Sequence, residues 1–358
     1  MRYLSFYFFL LIANQVYSQT AKVYSNEFLN IGVDARSLAL GNAVVSTVDN
    51  VTAGYWNPAG LSRISGQQVA MMHAAYFANI AQYDYLAYGN KIDDKSGYAV
   101  SLIRLGVDNI MNTTQLIDAQ GNIDYNRITY FSAADYALSF SLGRKNVWKS
   151  LDVGVTAKII YRHIGDFASG YGFGFDAGAQ YQYKKWFFGL MFRDITTTFN
   201  YWSVDEDAFN SIAQAVNGQN QDAPNNIELT YPKMQLGVMR NFSINQNLNL
   251  LAEMDLQARF FKTHSLISSE FISIEPSLGL EFVYYKLAFV RLGVNNFRNE
   301  IYFDRENLKF QPNAGLGFKY KGIAVDYALT NIASDGFYSH VFSLQIDLDR
   351  FIKKKKNN

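Results

Sequence analysis

The stretch Tyr171–Tyr183, YGFGFDAGAQYQY, decides the fold. Tyr171, Phe173, Phe175, Ala177, Ala179, Tyr181 and Tyr183 are apolar or aromatic, whereas Gly172, Gly174, Asp176, Gly178, Gln180 and Gln182 between them are small or polar. In an extended chain successive side chains point to opposite sides, so the pattern gives one greasy face and one polar face. A helix would scatter both sets around its circumference. The same period of two returns in Leu151–Arg162, where Leu151, Val153, Val155, Ala157, Ile159 and Tyr161 oppose Asp152, Gly154, Thr156, Lys158 and Arg162. It returns again in Leu248–Phe260, where Glu253, Asp255, Gln257 and Arg259 oppose Ala252, Met254, Leu256, Ala258 and Phe260.

Working outward, fourteen such segments cover the chain from Gln68 on: about 68–75, 80–92, 96–105, 132–143, 150–163, 170–183, 186–199, 230–243, 248–261, 270–284, 286–296, 310–320, 323–332 and 339–351. Every second connection is short: Asp93–Lys95, the patch around Gly143–Lys149, Lys184-Lys185, Ile244–Asn247, Tyr285 and Lys321-Gly322. Several of the others are long, notably Gly106–Phe131, Asn200–Thr230 and Asn296–Lys309. Short turns at one end and long loops at the other mark an outer-membrane barrel with both termini on the periplasmic side and the long loops outside the cell. The expected fold is all-β, a fourteen-stranded antiparallel transmembrane β-barrel. A soluble sandwich also alternates, but its turns carry no such one-sided length bias.

The polar faces carry charges of both signs: Asp152, Lys158, Arg162, Asp176, Glu253, Asp255, Arg259, Lys319, Asp326, Asp347 and Asp349. An isolated charge in a dry lumen is costly. Mixed signs therefore suggest a filled lumen, with pairing between the wall and a plug. Only Leu251 and Ile160 interrupt these polar inward faces, which argues against an apolar ligand pocket. Composition agrees with a membrane barrel. Aromatic residues make up 16% of the 358 positions, with 25 Tyr and 28 Phe, against 18% charged residues. Girdles at the membrane interfaces give those rings a place. Net charge is +1 (32 basic against 31 acidic), so nothing favours nucleic acid, and the absence of cysteine excludes disulfides and Cys-based metal sites.

Ahead of the strands, Met1–Ser18 reads as a secretory signal, with Arg2, an apolar run Leu4–Ala13 and the small-residue site Val16-Tyr17-Ser18. An N-terminal anchor is the alternative, but the run is too short to span a bilayer. Residues 19–66 then form the irregular segment FLNIGVDARSLALGNAVVSTVDNVTAGYWNPAGLSRI and its flanks. Asp34–Leu40 suits a short helix ended by Gly41, and Asn57-Pro58-Ala59-Gly60 is a turn signal. Its position before the barrel suggests a hatch in the lumen; a surface loop with two helical turns is the plainer reading. As a hatch it would pair Asp34 and Arg36 with wall charges such as Asp152, Asp176 or Lys158. The barrel would occupy 67–351, and 352–358 would be a basic periplasmic tail that could meet anionic lipid.

No catalytic or cofactor constellation emerges. His73, His163, His264 and His340 show no ligand spacing, and the pair Ser339-His340 would point to opposite faces of a strand. Ser203 and Glu206 fit a capping box for a helix at Ala208–Val216 inside a long loop; the acids Asp205-Glu206-Asp207 suit its N-terminus better than they suit calcium.

Phe28-Leu29-Asn30-Ile31-Gly32, Asp34-Ala35-Arg36, Leu40-Gly41-Asn42-Ala43 and Trp56-Asn57-Pro58-Ala59-Gly60 together resemble the N-terminal signature of the PorV/PorQ family. The resemblance implies an outer-membrane barrel similar to the FadL fatty-acid transporters, which carry an Asn-Pro-Ala motif in an N-terminal hatch before fourteen strands. It further implies a non-enzymatic role in type IX secretion or cell-surface assembly, with a secretion translocon or secreted cargo as partner. A FadL-like transporter of a hydrophobic small molecule is the second expectation.

Overall fold

The computed structural model describes residues 25–117, 120–207, 227–263, 265–302, 305–331 and 338–352. The expected signal peptide, the start of the 19–66 segment, the helix expected at Ala208–Val216, His264 and the basic tail from Lys353 lie outside them.

One antiparallel sheet closes on itself. Its wall strands are β1 (Gln68–Tyr76), β2 (Ala81–Lys91), β3 (Ser96–Asn112), β4 (Thr129–Trp148), β5 (Leu151–Ile164) and β6 (Ala168–Tyr183). Next come β7 (Trp186–Arg193, resumed at Thr198–Val204) and β8 (Ile227–Thr230, resumed at Lys233–Ser243). The wall is completed by β9 (Leu248–Arg259), β10 (Ser273–Tyr284), β11 (Ala288–Tyr302), β12 (Arg305–Tyr320), β13 (Ile323–Thr330) and β14 (Ser339–Asp347). β1 pairs with β14 from Gln68↔Asp347 to Ala74↔Val341, so the fourteen strands leave no edge. Closure matters physically, because an open edge would present unpaired backbone groups to lipid. The two interruptions have local causes. β7 breaks where Asp194 and Thr197 adopt φ of 56° and 59°, and β8 breaks at Pro232, which has no N–H to offer the ladder.

The outward faces carry large exposed apolar side chains: Phe140 (48%), Phe173 (53%), Leu292 (50%) and Leu316 (58%) among many. So much apolar surface suits a hydrocarbon surround. Exposed rings cluster toward both ends. Trp148, Tyr183, Trp186 and Tyr320 lie by the short turns, and Tyr130, Tyr171, Tyr201 and Phe310 lie toward the other end. No helix among the described residues is long and apolar enough to cross a membrane.

The strand boundaries correct several expectations. Asn296–Lys309 is no long loop, because β11 and β12 continue as a hairpin to Tyr302 and from Arg305. A register shift between Asn295 and Arg298, with Asn296 at φ 52°, breaks the alternation there and hides the strand from a period-two reading. Gly106–Phe131 likewise shrinks to 113–128, since β3 and β4 extend past a shift between Val107 and Ile110. The end opposite the short turns also has brief connections of its own, at 77–80 and 165–167. Finally, β14 stops at Asp347, and Asp349–Ile352 forms a helical turn, so Asp349 is not on the wall. Its carboxylate accepts from the Gln67 N–H at 3.4 Å.

Candidate functional site

The segment from Ser25 to Gly66 lies against the inward faces of the wall. It is built from short turns because its residues cap one another. Asp34 precedes α1 (Ala35–Ala39) and accepts from the Arg36 N–H at 3.4 Å. Gly41 then leaves the helix at φ 64°, a left-handed conformation that costs glycine little. α2 (Ala53–Trp56) leads into a 3-10 turn, Pro58–Arg63. Asn57 caps that turn by accepting from the Ala59 N–H at 3.2 Å, and Pro58 fills its first position, where no N–H is needed. Asn57-Pro58-Ala59-Gly60 is thus a capped 3-10 start rather than an isolated tight turn. The Asn57 amide also donates to the Val45 carbonyl (2.9 Å) and to Ala179 of β6 (3.1 Å).

Wall glycines let this backbone come close. A Cβ on Gly154 would stand 2.3 Å from the Pro58 carbonyl carbon, and one on Gly293 would stand 2.2 Å from the Gly41 nitrogen. Gly41 and Gly60 are themselves pinned, the second with the Val48 carbonyl oxygen 2.1 Å from where its Cβ would be.

Polar contacts to the wall concentrate on β9 to β11. Asp255 accepts from the Val44 and Val45 N–H groups, both at 3.1 Å. Glu253 accepts from the Ser46 N–H (2.8 Å) and from the hydroxyls of Ser46 and Thr47 (2.5 Å each). Arg36 binds Glu281 through two nitrogens at 3.0 Å, Glu281 binds Arg291 at 2.6 Å, and Arg291 reaches Asp326 at 2.5 Å. Across the lumen Arg63 lies 3.4 Å from Asp152 and bonds Gln180. Arg259 meets Glu27 of the segment at 3.3 Å and Glu275 of β10 at 3.5 Å.

These contacts correct the expected pairings. Arg36 meets Glu281, not Asp152, Asp176 or Lys158, and Asp34 accepts a hydroxyl from Ser343 at 2.8 Å rather than pairing with a cation on the wall. Lys158 and Asp176 instead form a wall-to-wall trio with Asp194, at 2.8 and 2.6 Å from the ammonium. The β7 break brings Asp194 there. Arg162 binds Asp135 (2.8 Å) and Glu228 (3.2 Å), also within the wall. Asp347, at the end of β14, holds its Oδ1 buried without a hydrogen bond among the described residues. Glu281 and Arg291 were not singled out from the sequence, although Glu281 alternates with Leu280 and Phe282, and Arg291 with Val290 and Leu292, a usable signal.

The inward face is not uniformly charged or glycine. Met72, Tyr76, Tyr83, Tyr85 and Ile103 of β1 to β3 are buried against Phe28, Leu29, Tyr55 and Trp56 of the segment. On β2 Tyr83 and Tyr85 turn inward and Asp84 turns outward, where it meets His73 of β1 and Arg104 of β3. Some polar tips are satisfied locally: the Tyr83 hydroxyl donates to the Phe28 carbonyl at 3.1 Å, and the Trp56 indole donates to the Val33 carbonyl at 3.0 Å, whereas the Tyr76 hydroxyl is buried without a hydrogen-bond partner among the described residues. The Arg193 guanidinium lies over the Tyr55 ring at 4.5 Å. The lumen therefore has an apolar half filled by rings and a polar half threaded by ion pairs. Beside the polar half a cavity of about 260 Å³ remains, bounded by Glu27, Asn42, Gln235, Arg259, Glu275 and Gln311.

Burial and the charge of Asp326 push the Asp34 carboxyl up to about 6 from an ordinary 3.8. Below pH 4 both folded and unfolded forms are protonated. As pH rises from about 4 to 6 the unfolded chain ionises first, so stability from this group falls across that window, by on the order of 2 kcal/mol. Asp34→Asn is therefore expected to gain stability relative to wild type between pH 4 and 6. Paired urea titrations at several pH values check this, and a pH-independent difference contradicts it.

No three His, Asp or Glu groups among the described residues gather as a metal site. No protein-family model matches the sequence, and no curated protein matches it either. Solved structures do resemble it. The toluene transporter TodX of P. putida superposes with a TM-score of 0.55 at 12% identity, covering 88% of this chain and 98% of that one. The Ralstonia pickettii toluene transporter TbuX gives 0.51 at 12% identity over 88% and 98%. A Pseudomonas aeruginosa FadL homologue gives 0.51 at 11% identity over 87% and 97%. At such identities the likeness is one of architecture: the chain has the closed fourteen-stranded fold of FadL-like outer-membrane barrels.

Proposed function

We propose that this protein is an outer-membrane barrel that admits a hydrophobic small molecule into a lumen closed by its N-terminal segment, which acts as a hatch. The observation that carries the reading is the apolar half of the lumen. Phe28, Leu29, Tyr55 and Trp56 of the hatch occupy a wall surface of Met72, Tyr76, Tyr83, Tyr85 and Ile103. A greasy ligand could take the place of those rings on the same surface when the hatch shifts. An aqueous pore would have no use for it. The solved structures of similar fold include transporters named for toluene, which supports the same ligand class. Native mass spectrometry of the detergent-extracted protein tests the reading. A bound fatty acid or other apolar molecule, lost in Tyr83→Asp, is expected; a barrel that carries none and leaves Trp56 fluorescence unchanged when oleate or toluene is added contradicts it.

A second reading, attachment to secretion or surface-assembly machinery of the PorV/PorQ type, is supported by the signature in residues 28–60 and by how completely the hatch is bonded to the wall. In that role the loops and outer surface do the binding and the lumen stays shut. Co-purification of a translocon barrel or secreted cargo, with no apolar ligand, would favour it over transport.

A further inference from the structure

Four short turns share one dipeptide pattern: Trp148-Lys149, Tyr183-Lys184, Tyr285-Lys286 and Tyr320-Lys321. All four join wall strands at the same end of the barrel, linking β4 to β5, β6 to β7, β10 to β11 and β12 to β13. Each lysine sits at positive φ: 51°, 55°, 56° and 48°. Tight hairpin turns with left-handed backbone favour Gly, Asn or Asp, and Asn79 meets that need in the 77–80 turn at the opposite end. Turn geometry does not ask for lysine. A cation placed four times where asparagine would fit better points to something it meets outside the chain.

The neighbouring rings show where. Trp148 is 68% exposed, and Tyr183, Tyr285 and Tyr320 are each more than half exposed. The ammonium groups of Lys149, Lys184 and Lys321 lie 5.1, 5.3 and 4.8 Å from the centres of the adjacent rings, and Arg240 lies 4.8 Å from that of Trp186 at the same end. Exposed rings at a barrel end sit at headgroup depth, and a lysine stem alongside carries its charge to the headgroups themselves. Among the short turns at this end acids occur only as Asp93 and Asp94, where Asp94 is paired with Lys91 at 2.7 Å.

We propose that this collar of aromatic–lysine turns binds the anionic headgroups of glycerophospholipids in the leaflet that surrounds the short-turn end. The four turns are spread along the rim from β4 to β13, and a leaflet reaches all of them at once, whereas a single acidic protein would have to wrap the rim. The proposal rests on the barrel fold and is independent of what the lumen carries.

The test compares wild type with a variant carrying Lys149→Asn, Lys184→Asn, Lys286→Asn and Lys321→Asn, which removes charge while suiting the left-handed turns. Both are placed in nanodiscs of equal phosphatidylglycerol and phosphatidylcholine, and co-purified lipid is counted by native mass spectrometry. One lysine near an anionic surface is worth roughly a fivefold preference. Wild type is expected to retain phosphatidylglycerol several-fold over phosphatidylcholine, and the variant to retain both alike while still migrating as a folded, heat-modifiable barrel. Equal retention by wild type, or selection undiminished in the variant, overturns the proposal. Failure of wild type to enter the discs would overturn the barrel reading and this proposal with it.

Discussion

Glu281→Ala is expected to destabilise the protein by about 3–5 kcal/mol and to release α1 from the wall, because removing one member of a buried ion network leaves its partners uncompensated. Glu281 is the anion between two cations, Arg36 of the hatch and Arg291 of β11, and it is only 4% exposed. Arg291 is 2% exposed and would keep Asp326 alone. Arg36 would keep no strong partner on the wall. Truncating Arg36 instead leaves Glu281 paired with Arg291, so Arg36→Ala is expected to cost less than Glu281→Ala. Urea unfolding in detergent, followed by Trp56 fluorescence, separates the two. A loss below about 1 kcal/mol for Glu281→Ala, the size expected of an exposed pair, would show that the network is solvated.

Gly154→Leu is expected to unseat the other end of the hatch. The new Cβ would stand 2.3 Å from the Pro58 carbonyl carbon and 2.4 Å from the Ala59 nitrogen. Both are backbone atoms of a proline-stiffened turn, so no side-chain rotation relieves the clash. Overpacking typically costs about 1–3 kcal/mol. Displacing residues 57–63 would also forfeit the Asn57 bonds to Val45 and Ala179 and the contact of Arg63 with Asp152. Limited proteolysis is expected to cut within 57–66 in the variant and not in wild type. Val155→Leu, one position along on the outward, exposed face, should change nothing. Equal protease resistance of Gly154→Leu would mean that the hatch is not seated against β5.

The wall was legible because closure of a membrane barrel imposes one rule on every strand, greasy outward and polar or small inward. Tyr171–Tyr183 obeys it residue by residue and Leu151–Arg162 at every position but Ile160, and the structure keeps their faces as read. The reading failed where that rule is suspended. At Asn296 and Asn109 a left-handed residue inserts a bulge and shifts the phase of alternation, so strand looked like loop. At Tyr83 and Tyr85 the inward surface faces the rings of the hatch instead of water or charge, and periodicity alone cannot say which face is which. The wall partners of Arg36 and Asp34, Glu281 and Ser343, were missed for a different reason. Pairing across the lumen depends on the height at which each strand passes the hatch, and that height comes from the register of the whole barrel. The four aromatic–lysine dipeptides, by contrast, stood in the sequence; their left-handed backbone did not.

The central claim, that residues 25–66 close the lumen, is tested most directly by current through single proteins in a planar bilayer. Closure of the wall runs through β1 and β14 and does not use the hatch, so a chain lacking residues 19–60 can retain its barrel. The account predicts almost no current from the intact protein, stable open-pore steps from the truncated one, and intermediate, flickering currents from Gly154→Leu. Large, steady currents from the intact protein would contradict it.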